Sequence, residues 1–227
     1  MPGTAALNKF PPAPSVGWAA KQFAHAQSIL GNQIDDYATA LDFISPGGYT
    51  LIGAMARQNK GKGRVISTGA GNAQAVLGAA DTVSILDNPL TEAWYISGKI
   101  AVAISPSATA FIDIVKLNGV STGTVGLRLD GSVSQTKFKI YTINGGAAVT
   151  ANFAASVGVE IQLGVDFTGA LAYDPQVGQL TAYIDQVLQA TLTNLSQMPS
   201  TIANVQHFQF NQTGVAECDD LFIAFKR

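Results

Sequence analysis

An all-β sandwich is the fold the sequence predicts, and two observations carry it. From Gly71 to Arg227 apolar residues recur with a period of two in short runs, separated by Gly, Pro, Asn and Ser clusters, and no helical stretch interrupts them. A run of nine or ten such strands buries its apolar faces only by packing one sheet on another. Before that run the pattern is different. Residues 1–63 read as an extended arm with two short helices, a unit for assembly or anchoring, and residues 64–227 as the sandwich.

The arm, residues 1–14, carries Pro2, Pro11, Pro12 and Pro14 and few apolar groups to bury, which predicts extended chain. Ser15 is placed to cap a helix in which Val16, Ala20, Phe23, Ala26 and Leu30 form one stripe, and Gly31 ends it. A second helix carries Ile34, Tyr37, Leu41 and Ile44 on one stripe, with Asp35 and Asp36 in the first turn, where the macrodipole favours acids. Ser45-Pro46-Gly47-Gly48 stops it. Stripes this narrow must pack on the sandwich or on a neighbouring subunit. Between Gly47 and Gly71 the apolar stretch Tyr49–Met55 reads as a strand followed by a loop.

Within the sandwich the predicted strands are Trp94–Ile104, Phe111–Leu117, Thr124–Leu129, Lys137–Ile143, Val159–Phe167, Gln179–Ile184, Leu188–Thr193, His207–Asn211 and Asp219–Phe225. In one of them Leu180, Ala182 and Ile184 share a face while Thr181 and Tyr183 share the other. After a turn at Asp185-Gln186, Leu188, Ala190 and Leu192 resume a buried face. That pattern predicts a hairpin with one wet side.

Composition narrows the partners. Charged residues are 12% of the chain and apolar residues 47%, against about a quarter charged in ordinary domains. Low charge density points to a surface covered by partners, or to the Ser/Thr/Asn/Gln-rich exterior that this chain also has. The net charge of −2 divides into +2 for residues 1–63, from five Lys/Arg and three Asp, and −4 for the rest, from eight against twelve. Neither part offers the basic face that nucleic-acid binding needs. The basic cluster Lys60-Gly61-Lys62-Gly63-Arg64 is Gly-spaced and reads as a linker. No apolar run approaches the length of a membrane span, and the N-terminus lacks the charged and apolar regions of a secretion signal. The single Cys218 excludes an intrachain disulfide and reads as a small buried apolar residue.

The segment Ala73-Gln74-Ala75-Val76-Leu77-Gly78-Ala79-Ala80-Asp81-Thr82-Val83-Ser84-Ile85, continued by Leu86 to Leu90 and the strand Trp94–Ile100, resembles the opening of concanavalin A-like or laminin-G-like jelly rolls. Those domains also carry a Tyr-x-Asp-Gly strand end and a last strand led by Asp-Asp. The matching pieces here are Tyr183-Ile184-Asp185-Gln186 and Asp219-Asp220-Leu221-Phe222-Ile223. The resemblance covers about 155 residues and implies a concanavalin A-like jelly-roll sandwich. Gln186 departs from it, because Gly is usual there and a tight turn with positive φ favours Gly.

Catalytic sets are not found. Glucan-cleaving enzymes on this scaffold use a strand with two Glu, since retaining hydrolysis needs two carboxyl groups about 5 Å apart on one face. This chain has only Glu92, Glu160 and Glu217, and Glu217-Cys218-Asp219-Asp220 has no second Glu. Asp219 and Asp220, as strand neighbours, are expected on opposite faces. His25 and His207 are the only histidines and read as satisfied polar residues, with no Gly-x-Ser-x-Gly elbow and no phosphate-binding Gly-Lys-Ser/Thr run. The expectation is a protein that is not an enzyme and holds no cofactor. Relatives of the scaffold bind calcium through clustered Asp and Asn oxygens, for which Asp81, Asp87, Asn88 and Asp219 or Asp220 are the candidates; the plain reading makes them turn caps. For sugar binding, Tyr141, Tyr173 and Tyr183 are candidate platforms, with Trp94 expected in the core and Trp18 on the helix.

A long jelly roll preceded by an arm, in a chain poor in charge, also resembles structural proteins of tailed bacteriophages in architecture and composition. That resemblance implies a virion component of the capsid surface, tail, baseplate or fibre, a homo-oligomer that meets other virion proteins through its arm. Phe10, Trp18, Phe23, Leu30, Tyr37 and Leu41 are the docking residues it selects. The alternative is a lectin-like module for cell-surface polysaccharide, with the arm as a tether.

Overall fold

Strand alternation on this scale builds two sheets. The computed structural model describes residues 16–31, 49–52, 55–57, 65–67, 73–77, 90–104, 111–120, 123–130, 138–153, 165–210 and 215–226. They form a helix α1 (Val16–Leu30) and the strands β1 (Tyr49–Ile52), β2 (Met55–Arg57), β3 (Val65–Ser67), β4 (Ala73–Leu77), β5 (Ala93–Ile104), β6 (Phe111–Gly119), β7 (Thr124–Asp130), β8 (Phe138–Ile143), β9 (Val149–Asn152), β10 (Asp166–Asp174), β11 (Gln179–Ile184), β12 (Val187–Leu192), β13 (Ile202–Phe210) and β14 (Val215–Lys226). The first sheet runs β12-β11-β10-β5-β14-β3-β2 and the second β1-β4-β13-β6-β7-β8-β9. Every described pairing is antiparallel.

The core lies between the sheets. Trp94, Ile96, Ile100 and Val102 of β5 and Leu171 and Tyr173 of β10 meet Ile112, Ile114, Leu127, Leu129, Phe138 and Ile140 of the second sheet, all buried. Each such side chain contributes about 1.5–3 kcal/mol when fully removed from water. Gly169 of β10 faces the same interior, where an added Cβ would stand 2.8 Å from Ile114 Cγ2 and 3.0 Å from Leu127 Cδ2. Its missing side chain is the space those two occupy.

The outer face of the first sheet is unusual in being small. Ala93, Ala170, Ala172 and Ala224 surround Tyr95 and Phe222, and α1 lies on this shallow surface with Ala26 and Leu30 buried and Trp18, Phe23 and Ile29 packed alongside. A helix approaches a sheet closely only where the side chains beneath it are short. Trp18 Nε1 donates to Thr168 Oγ1 at 2.8 Å, which pins the first turn of the helix. Among the described residues α1 is the one helix, and its stripe is applied to its own sandwich. Residues 1–15 and the expected second helix from Ile34 to Ile44 lie outside the described residues.

His25 sits in this seat. Tyr95 Oη donates to Gln22 Oε1 at 2.7 Å and lies 3.0 Å from His25 Nδ1, within hydrogen-bond reach of the ring. The Tyr95 and Tyr183 rings meet the imidazole edge to face, at 5.5 and 4.8 Å. Burial lowers the His25 pKa from 6.5, partly opposed by the Gln186 backbone. As pH falls through 6.5, an undocked helix takes up a proton that docked His25 refuses, so docking weakens until the docked ring itself titrates; above 6.5 the dependence is flat. The thermal midpoint is therefore expected to drop between about pH 7.5 and about pH 5.5 by more in the native protein than in His25→Gln. Equal drops in the two proteins would refute the assignment.

Several expectations are corrected by this geometry. β1 and β2 precede residue 63, yet β1 pairs with β4 and β2 with β3, so the division drawn between 63 and 64 falls between two paired strands. β9 was not expected. β10, Asp166–Asp174, overlaps the end of the strand expected at Val159–Phe167 and runs on past it, while 159–164 lie outside the described residues. Leu188 was expected to face inward but is 51% exposed. The pairing of β11 with β12 shifts between Ala182 and Tyr183, and Gln189 enters the buried row while Leu188 turns out.

The hairpin tip resolves the Gln186 departure. Asp185 and Gln186 both take positive φ, 47° and 70°, the pair of left-handed residues that a two-residue hairpin needs. Side chains offset that strain. Asp185 Oδ1 accepts from Thr168 N at 2.8 Å, and Gln186 Nε2 donates to Lys21 O of α1 at 3.1 Å. The left-handed conformation costs a non-glycine residue about 1–2 kcal/mol, whereas an exposed hydrogen bond returns about 0.5–1.5 kcal/mol. Gln186→Gly is expected to raise the stability of the sandwich in urea by up to about 1 kcal/mol. Trp18 should meanwhile become easier to quench as the helix tether is lost.

Candidate functional site

With one outer face under the helix, the outer face of the second sheet is where polar chemistry collects. Along β6, β7 and β8 the residues that alternate with the core row are Phe111, Asp113, Lys116 and Asn118, then Thr124, Gly126, Arg128 and Asp130, then Lys139 and Tyr141. Alternation holds across β6 despite a bulge between Asp113 and Val115, which gives Ile114 and Val115 to the core and returns Lys116 to the polar side. No described helix or strand is packed across this face.

Arg128 is its centre. The register sets it opposite Asp113 on β6 and Lys139 on β8. Its Nε donates to Asp113 Oδ1 at 2.6 Å and its Nη2 to Asp113 Oδ2 at 2.9 Å, a fork matched to a carboxylate. Nη2 also donates to Tyr141 Oη at 3.2 Å. The guanidinium lies 3.6 Å from the centroid of the Phe111 ring and 4.3 Å from that of Tyr141, so two aromatic faces hold the cation. Asp113 is wholly buried, while the Arg128 side chain keeps 19% of its surface exposed. Nη1 has no hydrogen-bond partner among the described residues.

Electrostatics fix the protonation states. Burial disfavours the Arg128 cation but is outweighed by Asp113, and its pKa is raised. Burial first, and then the Asp113 charge, hold the Tyr141 hydroxyl well above its ordinary pKa, so it stays a neutral phenol. Lys116, half-buried, has its pKa lowered by burial, an effect that Asp113 opposes and Arg128 reinforces. Lys139 pairs with Asp130 at the rim.

Gly126 lets Tyr141 take this position. The two are register partners, and a Cβ on Gly126 would stand 2.7–2.8 Å from Tyr141 ring atoms, so the ring lies over the bare backbone and reaches Arg128. The neighbouring strand β13 continues the row. Its register sets Gln206 opposite Lys116, Gln209 opposite Asp113 and Asn204 opposite Asn118, and β9 sets the exposed Asn152 opposite Lys139.

Of the expected aromatic platforms, Tyr141 alone belongs to this face. Tyr173 is in the core and donates to Leu90 O at 2.9 Å. Tyr183 lies under α1 against His25. Trp94 is in the core as expected. Among the expected docking residues, Trp18, Phe23 and Leu30 face their own sandwich, and Phe10, Tyr37 and Leu41 lie outside the described residues. β14 bulges between Cys218 and Leu221, which interrupts the alternation used to separate Asp219 from Asp220. The side chains of Glu217 to Asp220, and the calcium candidates Asp81, Asp87 and Asn88, lie outside the described residues. Among the described residues no group of three or more His, Cys, Asp or Glu is placed to hold a metal, and no helix is long and apolar enough to cross a membrane.

Sequence reasoning missed Arg128, Asp113 and Lys116. The signal was there as charged residues inside apolar strands, in Phe111-Ile112-Asp113-Ile114 and Gly126-Leu127-Arg128-Leu129.

No family model matches the chain, and neither does any curated protein. Among solved structures the chain is similar to the Emp47p carbohydrate recognition domain, at 12% identity and a TM-score of 0.55, over 86% of this chain and 98% of that one. It is also similar to the binding domain of botulinum neurotoxin DC in complex with SialylT, at 12% identity and a TM-score of 0.53, over 85% of this chain and 45% of that one. The chain thus spans under half the length of that neurotoxin domain. An alginate lyase of polysaccharide lyase family 7 matches at 10% identity and a TM-score of 0.49, over 76% of this chain and 82% of that one. The likenesses above 0.5 define the class of fold: a β-sandwich of the jelly-roll, concanavalin-like kind.

Proposed function

We propose that this protein is a non-enzymatic carbohydrate-binding module whose site is the outer face of β6, β7 and β8. The observation that carries the reading is the arrangement around Arg128: a guanidinium and the half-buried Phe111 ring on a polar strand face, the buried Tyr141 ring holding the cation, and the amides Asn118 and Asn152 at register positions on the same sheet. Sugars are held by such sets, in which planar groups cover pyranose faces and amides and charged groups exchange hydrogen bonds with hydroxyls. Two proteins that share the fold, the Emp47p carbohydrate recognition domain and the neurotoxin binding domain in complex with SialylT, support the reading by analogy of scaffold.

Gly126→Val tests the site directly. The added side chain must push the Tyr141 ring away from Arg128, and glycan binding is expected to weaken on the order of tenfold, the equivalent of about 1.4 kcal/mol. The measurement is a glycan array followed by titration of the best ligand with the full chain. Absence of binding to any glycan, or binding unaffected by Gly126→Val, sinks the proposal.

A second reading, as a virion component anchored by its arm, has the low charge density of 12% in its favour. Its docking residues in α1 are already engaged by the sandwich.

A further inference from the structure

We infer that Gly169, on the first sheet, is a positioning residue for the site on the second: it leaves the room that the bulge in β6 needs, and the bulge sets Asp113 against Arg128. The inference rests on the carbohydrate-binding reading and adds what holds that site in shape. Strand alternation sends successive side chains to opposite faces, yet Ile112, Ile114, Val115 and Leu117 all enter the core. The neighbours Ile114 and Val115 do so together because β6 carries one extra residue against β7, between the pairs Asp113–Arg128 and Val115–Leu127. The extra side chain needs space between the sheets, and it finds that space at Gly169. A Cβ on Gly169 would stand 2.8 Å from Ile114 Cγ2, 3.1 Å from Ile114 Cδ1 and 3.0 Å from Leu127 Cδ2. Both residues are chain neighbours of the clamp: Ile114 follows Asp113, and Leu127 precedes Arg128.

The contact with Ile114 cannot be relieved by rotation alone. Its Cγ2 hangs directly on Cβ, and a β-branched side chain is stiff at χ1. Nor can β10 back away, because it is held from its outer side: Thr168 accepts from Trp18 Nε1, and Ala170 is buried under α1. A methyl group added at position 169 is therefore taken up by the backbone of β6 at the bulge. Asp113 is part of that backbone, and the bonds it accepts from Arg128, at 2.6 and 2.9 Å, tolerate little displacement.

Gly169→Ala tests the inference in the full chain with two readouts. The chain has four arginines, so the Arg128 Nε–H signal can be followed by NMR, and its position reports the bond to Asp113 whether or not a sugar is present. Gly169→Ala is expected to move that signal and to weaken binding of the glycan that the native protein binds best by roughly fivefold. Adding Ile114→Ala removes Cγ2 and Cδ1 and is expected to return both signal and affinity to native values. Ile114→Ala alone is expected to lower the melting temperature and leave the signal in place, since it opens a cavity without pushing on the bulge. A signal unmoved in Gly169→Ala, or one that Ile114→Ala does not restore, overturns the inference and leaves the binding module standing. Unchanged affinity in a Gly169→Ala protein whose signal has moved overturns it as well. Should Gly169→Ala fail to fold, the paired variant decides: a native signal upholds the inference and an altered one overturns it. A native protein that binds no glycan overturns the carbohydrate-binding reading, and the Arg128 signal then decides the positioning of the clamp by the same criteria.

Discussion

Arg128→Met is expected to destabilise the protein by about 3–5 kcal/mol, a large part of the 5–15 kcal/mol that holds a domain folded. Asp113 is wholly buried and both of its carboxylate oxygens accept from Arg128, at 2.6 and 2.9 Å. Without the guanidinium the carboxylate is left desolvated and unpaired, which costs folding free energy. The reverse substitution, Asp113→Asn, is expected to cost less, because Arg128 keeps its two aromatic neighbours and its 19% exposure to water. Replacing both residues together by apolar ones should recover most of the loss, since an apolar pair of similar volume replaces a buried ion pair at little cost. Urea unfolding of the two single variants and the double variant measures this. Additive losses, or a larger penalty for Asp113→Asn than for Arg128→Met, would show that the carboxylate is not the group whose desolvation matters.

How much of this was legible beforehand depended on what each residue's neighbours were. Strands with strict alternation, such as Gln179–Ile184, were read to the residue because period two is a property of the backbone itself. The run of β10 beyond Phe167 was missed because Gly169, Ala170 and Ala172 have poor strand propensity. Their smallness is imposed by other elements: Ile114 and Leu127 press on Gly169 from one side and α1 on the two alanines from the other. A single sequence shows small residues but not what lies against them. The site was harder still. Arg128, Asp113 and Lys116 sit on two strands, and only the register that pairs Asp113 with Arg128 turns three scattered charges into a cluster. Gln186 went the other way. Its identity looked like a defect of the turn until the helix, 165 positions away in sequence, supplied the carbonyl that its amide meets.

The second large effect is expected from Ala26→Asp. Ala26 is fully buried in the seat formed by Tyr95, Phe222, Ala170 and Ala172, with no cation among these side chains and the one hydroxyl, that of Tyr95, already donating to Gln22. The helix can escape the penalty only by leaving the sheet, so the loss is capped by its docking free energy. That free energy is about 3 kcal/mol or more, given that Leu30 and much of Phe23 and Trp18 leave water when the helix docks. Two tryptophans report on the two layers separately. Trp18 lies on the helix and donates to Thr168, whereas Trp94 is wholly buried between the sheets. The expected outcome is a lower melting temperature and a red-shifted, quenchable Trp18, with the Trp94 contribution unchanged. This separates the two uses the helical stripe was predicted to have. If the stripe served a neighbouring subunit, Ala26→Asp would break an oligomer and leave the isolated sandwich as stable as before. If it is the lid of its own sheet, stability falls in the monomer at any concentration, and the freed Tyr95, Phe222 and alanine surface becomes the new apolar patch on which aggregation begins.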